Sequence, residues 1–95
     1  MITRIVKMTF KEEYTEDFQI FSKSIYSTIR NWQGCSHLDV LQDLDNPQIF
    51  FTYSIWESQK DLQGYRGSEF FNKTWSKTKQ WFAAKAEAWS VKKLS

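Results

Sequence analysis

One stretch constrains the fold more than any other. Ile49-Phe50-Phe51-Thr52-Tyr53-Ser54-Ile55-Trp56 is a run of aromatic, β-branched and small residues with no charge in it. A strand buried on one face alternates apolar with polar residues, so this run predicts a strand covered on both faces. Asn46-Pro47 signals a turn in front of it. Ser58, with Asp61 three residues on, reads as the N-cap of a helix behind it. A central strand that turns straight into a helix is a natural wall for a pocket.

The rest of the chain supplies partners for that strand. Ile2 to Phe10 alternates: Ile2, Val6, Met8 and Phe10 share one face, with Arg4 the exception among them, and Thr3, Ile5, Lys7 and Thr9 share the other. After a polar connection over Lys11–Glu13, Thr15 is placed to cap a helix. Phe18, Phe21, Ile25, Ile29 and Trp32 then recur at steps of three and four along one stripe. Gly34 closes that helix in the C′ position. Cys35 to Gln42 is a second strand, with Cys35, His37, Asp39 and Leu41 on one side and Ser36, Leu38, Val40 and Gln42 on the other. The turn through Asn46-Pro47 makes it an antiparallel hairpin with the central strand. A short helix from Ser58 to Arg66 presents Leu62 and Tyr65. Gly67 breaks it, and Ser68 caps a third helix whose face carries Phe71, Trp75, Thr78 and Phe82. Ala86 to Leu94 is a last strand carrying Trp89 and Val91.

The order β-α-β-β-α-α-β, one domain over residues 1–95, is the ferredoxin-like α+β pattern: a four-stranded antiparallel sheet with helices on one face. No element remains to cover the other face, yet the central strand needs cover there. A second copy of the same sheet is the simplest supply, so the pattern predicts a homodimer. Composition agrees, because 18% of the residues are aromatic, including five Trp and eight Phe. A single small core does not hide that many large rings; some must line a cavity or meet another subunit.

Several function classes drop out. Net charge is +2 and the basic residues are spread rather than clustered, so nucleic acid is not an expected partner. Cys35 is the only cysteine, which forbids an internal disulfide and suits a reducing compartment. Met1 to Lys7 is interrupted by charge and carries no signal-peptide core. No apolar run approaches the ~20 residues of a membrane helix, so a cytoplasmic protein with no membrane partner is expected. No His, Cys, Asp and Glu group has metal-ligand spacing, and no glycine-rich phosphate loop is present, so neither a metal nor another cofactor is expected.

At the Gly34-Cys35 corner, the strand end Trp56-Glu57-Ser58, the short helix ending at Tyr65 and the helix start Ser68-Glu69-Phe70-Phe71, the chain resembles the antibiotic biosynthesis monooxygenase family. That family belongs to the dimeric α+β barrel superfamily. The resemblance implies a pocket in each subunit between sheet and helices, here lined by Val6, Met8, Tyr65, Phe71 and Trp75. It also implies a cofactor-independent monooxygenase acting on a small aromatic, phenolic or quinol-like molecule. Haem-degrading relatives look to use an asparagine, a tryptophan and a histidine where this chain has Val6, Tyr65 and Trp75. The departure at all three positions makes haem degradation an unexpected activity.

His37, the only histidine, shares a strand face with Asp39, and a neighbouring carboxylate raises imidazole basicity. A histidine is the natural base for deprotonating a phenol, so His37 is the candidate base; the plainer alternative is a solvent-facing ring. Tyr53 and Tyr65 each bring a hydroxyl able to orient a ligand oxygen. Trp56, Trp75 and Trp81 sit at spacings that usually pack, and Trp56 and Trp75 are taken as candidate substrate contacts. Cys35, with no histidine at a catalytic spacing, reads as a small buried residue. The second functional reading is a non-catalytic module that binds a small hydrophobic ligand or simply dimerises. If only Tyr65 reaches the pocket, binding is favoured; if His37 or Arg4 also points in, catalysis gains.

Overall fold

The computed structural model describes residues 1–95. Its elements are β1 (Ile2–Thr9), a 3-10 turn (Glu12–Tyr14), α1 (Thr15–Arg30), β2 (Cys35–Gln42), β3 (Ile49–Trp56), α2 (Gln59–Arg66), α3 (Glu69–Lys79) and β4 (Glu87–Val91). The strands form one antiparallel sheet in the order β2-β3-β1-β4, the ferredoxin-like arrangement. The uncharged run is β3, hydrogen-bonded on both edges.

Local chemistry sets the corners. At Gly34 φ is +85°, a conformation that a side chain disfavours, and the chain turns there from α1 into β2. The Gly34 carbonyl accepts from the Glu57 N–H at 2.8 Å, which ties this corner to the end of β3. Ser58 caps α2: its hydroxyl oxygen accepts from the Asp61 N–H at 3.1 Å and its O–H donates to Asp61 Oδ2 at 3.0 Å. Ser68 caps α3 by accepting from the Phe71 N–H at 3.0 Å.

Three local expectations are corrected. Thr15 does not cap α1; the 3-10 turn leads into the helix, and the Thr15 hydroxyl donates back to the Glu12 carbonyl at 3.1 Å. α3 stops at Lys79, before Phe82, which forms an isolated bridge with Phe10. Finally, β2 carries a bulge between Cys35 and His37. The extra residue turns Cys35 inward beside Trp56 while His37 and Asp39 stay on the outer face.

Only 11 of the 95 residues are buried; the nine hydrophobic ones fall in two clusters instead of one core, and the other two are Ser54 and Thr78. Cys35, Leu38, Trp56, Leu62 and Tyr65 form one, with Ile29, Trp32 and Phe71 against it. Met8, Phe10, Phe18 and Phe50 form the other, with Val40, Trp75 and Phe82 against it. The helices cover one sheet face. The other presents Ile5, Leu41, Phe51, Tyr53, Ile55, Trp89 and Val91, with Tyr53, Ile5 and Trp89 side by side across β3, β1 and β4. Nothing within the chain covers them, and Trp89 remains 45% exposed.

Candidate active site

A cavity of about 270 Å³ lies between the sheet and the helices, where the two clusters fail to meet. Its floor is Arg4, Val6 and Met8 of β1, Leu38 and Val40 of β2, and Thr52, Ser54 and Trp56 of β3. Ala86 and Ala88, at and beside the start of β4, add little bulk, and Ala88 lies opposite Val6. Small residues at 52, 54, 86 and 88 are thus the local reason that space remains. The roof comes from Ile25 and Ile29 of α1, Tyr65 and Arg66 of α2, and Phe71, Thr74 and Trp75 of α3.

The aromatic wall is held from behind. The Trp56 indole N–H donates to Ser54 Oγ at 2.9 Å, fixing the ring on the sheet. Tyr65 stacks on Trp56 with centroids 5.0 Å apart and planes 24° apart, and meets Trp32 and Phe71 edge-on. Phe71 in turn lies nearly parallel to Trp75, at 5.9 Å and 9°. These contacts orient flat apolar surfaces toward the cavity. The Tyr65 hydroxyl has no hydrogen-bond partner in the protein and is not sealed from the cavity. Burial, with a smaller contribution from Cys35, pushes its phenol well above the usual tyrosine value. At neutral pH Tyr65 is therefore a hydrogen-bond donor waiting for an acceptor, not a base.

Two cations border this apolar space. Arg4 lies between Ser54 and Ser90 in the sheet register and donates to Ser90 Oγ at 2.9 Å. Burial, then the charge of Arg66, lowers its pKa. The carboxylate contacts of the chain's basic side chains are Lys7–Glu87, His37–Asp39 and Lys73–Glu69, so neither arginine has a carboxylate partner. No Asp, Glu, His or Cys lines the cavity.

Of the residues singled out in the sequence, Val6, Met8, Trp56, Tyr65, Phe71 and Trp75 surround this cavity. His37 and Tyr53 do not. Both lie on the outer sheet face, with their rings edge-on at 6.0 Å and His37 Nε2 2.8 Å from Asp39 Oδ2. The expectation of His37 as a base in the pocket is corrected by this strand sidedness. The thiol of Cys35, inward but behind the wall, donates to the His37 carbonyl at 3.5 Å, and burial pushes its pKa up. Arg66 was not anticipated: a basic residue in the last turn of a helix reads first as a partner for the helix dipole. Its adjacency to Tyr65 was the available signal.

Comparisons with known proteins fit this geometry. The family model described as Antibiotic biosynthesis monooxygenase matches residues 1–77. A solved Nitrosomonas europaea protein that carries the same family name superposes with a TM-score of 0.91 at 21% identity, over 100% of both chains. A conserved Methanosarcina mazei protein gives 0.90 at 23% identity, covering 98% of this chain and 93% of that one. A Pseudomonas aeruginosa protein gives 0.87 at 17%, covering 99% and 94%. Among curated proteins none matches the chain. At these identities the solved structures establish the shared fold. The family match adds more, because it runs without a break from β1 into α3 and so takes in most of the residues that wall the cavity. On that match, the chain belongs to the antibiotic biosynthesis monooxygenase family.

Proposed function

We propose that the cavity binds a small phenolic or quinol-like aromatic and that the protein oxygenates it with no cofactor of its own. The observation that carries this reading is the combination of an aromatic wall, an unpartnered Tyr65 hydroxyl and the inward-facing Arg4. An electron-rich aromatic, once deprotonated, itself reduces dioxygen. One oxygen atom enters the ring as a carbonyl and the other leaves as water, with all four electrons coming from the substrate. The protein then has three tasks. Trp56, Phe71 and Trp75 hold the ring in a space that limits water. Tyr65 donates to the substrate oxygen. Arg4, partly desolvated and without a counterion, favours the phenolate electrostatically, so the substrate's own acidity replaces a base and the proton leaves to water.

A second reading has its own support. The absence of any histidine or carboxylate in the lining suits a binding module that holds an aromatic ligand without turning it over. Oxygen uptake by metal-stripped protein, over a panel of dihydroxyaromatics, separates the two. Protein-dependent uptake that falls in Tyr65→Phe supports the oxygenase; none across the panel leaves the binding module.

The working unit in this proposal is a homodimer joined sheet to sheet. The support is the uncovered outer face of Ile5, Phe51, Tyr53, Ile55 and Trp89. No helix is long and apolar enough to cross a membrane. The single, buried, unpaired Cys35 is compatible with the cytoplasm as the place of action.

A further inference from the structure

A phenolate calls on one cation of the cavity, Arg4, and leaves the second, Arg66, without a role. Arg4 and Arg66 come from unrelated elements, the first strand and the end of the second helix, yet both border the same small space. They are near enough for the charge of Arg66 to act on Arg4. Neither has a carboxylate partner anywhere in the chain. The only side-chain hydrogen bond of Arg4, to Ser90 Oγ, uses one of its five donors. Two like charges border one apolar space, one of them partly desolvated, and an anion held between them would offset both.

We propose that the ligand of this cavity is an aromatic acid, a flat apolar body whose carboxylate is held by Arg4 and Arg66. The guanidinium fork matches the two oxygens of a carboxylate, which a point charge does not. The ring then lies along Tyr65, Phe71 and Trp75, and the free Tyr65 O–H meets an oxygen on the ring itself. A volume of about 270 Å³ suits a fused two-ring body rather than a larger polycycle. The inference rests on the cavity being a ligand site, as proposed above, and does not depend on oxygen chemistry.

The test is a comparison of 2-naphthoate with 2-naphthamide, which share a shape and differ in charge. Binding is read by calorimetry and by quenching of tryptophan fluorescence, in wild type, Arg4→Gln, Arg66→Gln and the double variant. Naphthoate is expected to bind at least about tenfold more tightly than the amide, the worth of one hydrogen bond to a charged group. Each single variant should shrink that preference, and the double variant should lose it. Arg66 is exposed at a helix end, so Arg66→Gln keeps the question answerable if Arg4→Gln disturbs folding. Equal affinity for the two probes in wild type, a preference that survives the double variant, or no binding of either would overturn the proposal. The oxygenase reading fails separately. Carboxylate-selective binding without oxygen uptake removes the oxygenase and leaves the aromatic-acid site, whereas uptake with neutral phenols and no charge preference does the reverse.

Discussion

His37 Nε2 sits 2.8 Å from Asp39 Oδ2 on the sheet face that points away from the cavity. The pair looks like the start of a catalytic relay, but both side chains are about half exposed and neither residue lines the cavity. His37→Ala is therefore expected to leave oxygen uptake at the wild-type level. A positioned base would be worth roughly 10²–10⁴-fold. A loss of that size, measured at saturating substrate beside wild type, would put His37 back into the chemistry and require a route through the sheet.

The same face carries the prediction about assembly. Tyr53, Ile5 and Trp89 lie side by side across three strands with no helix over them. Sedimentation equilibrium at micromolar concentration should give twice the 11.4 kDa chain mass. Tyr53→Lys places a charge in the middle of that row, and it should shift the protein to monomer while keeping the helical circular dichroism signal. A wild-type monomer would rule out the sheet-to-sheet dimer.

Two glycines give opposite expectations from one substitution. Gly34 has φ of +85°, and a Cβ built there would collide with the side chain of Asp61, the residue that Ser58 caps. Gly34→Ala should cost about 1–2 kcal/mol for the left-handed backbone alone, with the collision added. Gly64 is interior to α2, and a Cβ there meets nothing within 4 Å. Gly64→Ala should stabilise the protein by about 0.5–1 kcal/mol. Thermal unfolding should then move in opposite directions, by roughly 4–8 °C per kcal/mol for a domain of this size.

The contrast between strand and helix also explains what the sequence could disclose. β3 is legible to the residue, because an uncharged run bounded by Asn46-Pro47 and Ser58 leaves little choice of ends, and β2 is fixed between the Gly34 corner and the Asp43–Pro47 turn. The two serine caps and the corner at Gly34 are equally legible, since each satisfies a local backbone requirement. The bulge at Cys35 is not. It answers to the packing of Cys35 against Trp56, residues far apart in sequence, and strict alternation wrongly places Cys35 with His37. Spacing shows that Trp56, Tyr65, Phe71 and Trp75 pack inward, and only the family resemblance implies that they wall a pocket. The arginine pair is not legible, because nothing local says that the strand position of Arg4 and the helix end at Arg66 share one space.

Haem is a stringent negative test of the site. Val6, Tyr65 and Trp75 all face the cavity, so none of these positions brings the asparagine or histidine that haem-degrading relatives look to use. Haemin mixed with the protein and a reductant should keep its Soret band at the rate of the protein-free control. Faster, protein-dependent bleaching would show that these three positions do not decide the activity.

Tyr65 is where stability and chemistry can be read from one substitution. Its phenol is pushed well above the usual tyrosine value by burial, and it has no protein acceptor. The unfolded chain releases that proton near pH 10, whereas the folded chain keeps it. Above about pH 10 the unfolded state therefore binds fewer protons than the native state, and stability falls as pH rises. Below pH 10 the group adds no slope. Tyr65→Phe removes the titration, so its urea midpoint should fall less steeply than that of wild type between about pH 10 and 11.5 while matching the wild-type trend at neutral pH. In catalysis the same substitution removes the donor to the substrate oxygen. A hydrogen bond to a charged acceptor contributes about 1.5–3 kcal/mol, so kcat/KM should fall roughly 10- to 100-fold. Because the donor is neutral throughout the working range, that loss should be the same at pH 6 and pH 9. A loss that grows with pH would instead mark Tyr65 as a base, and the assignment of substrate acidity as the source of the phenolate would have to be withdrawn.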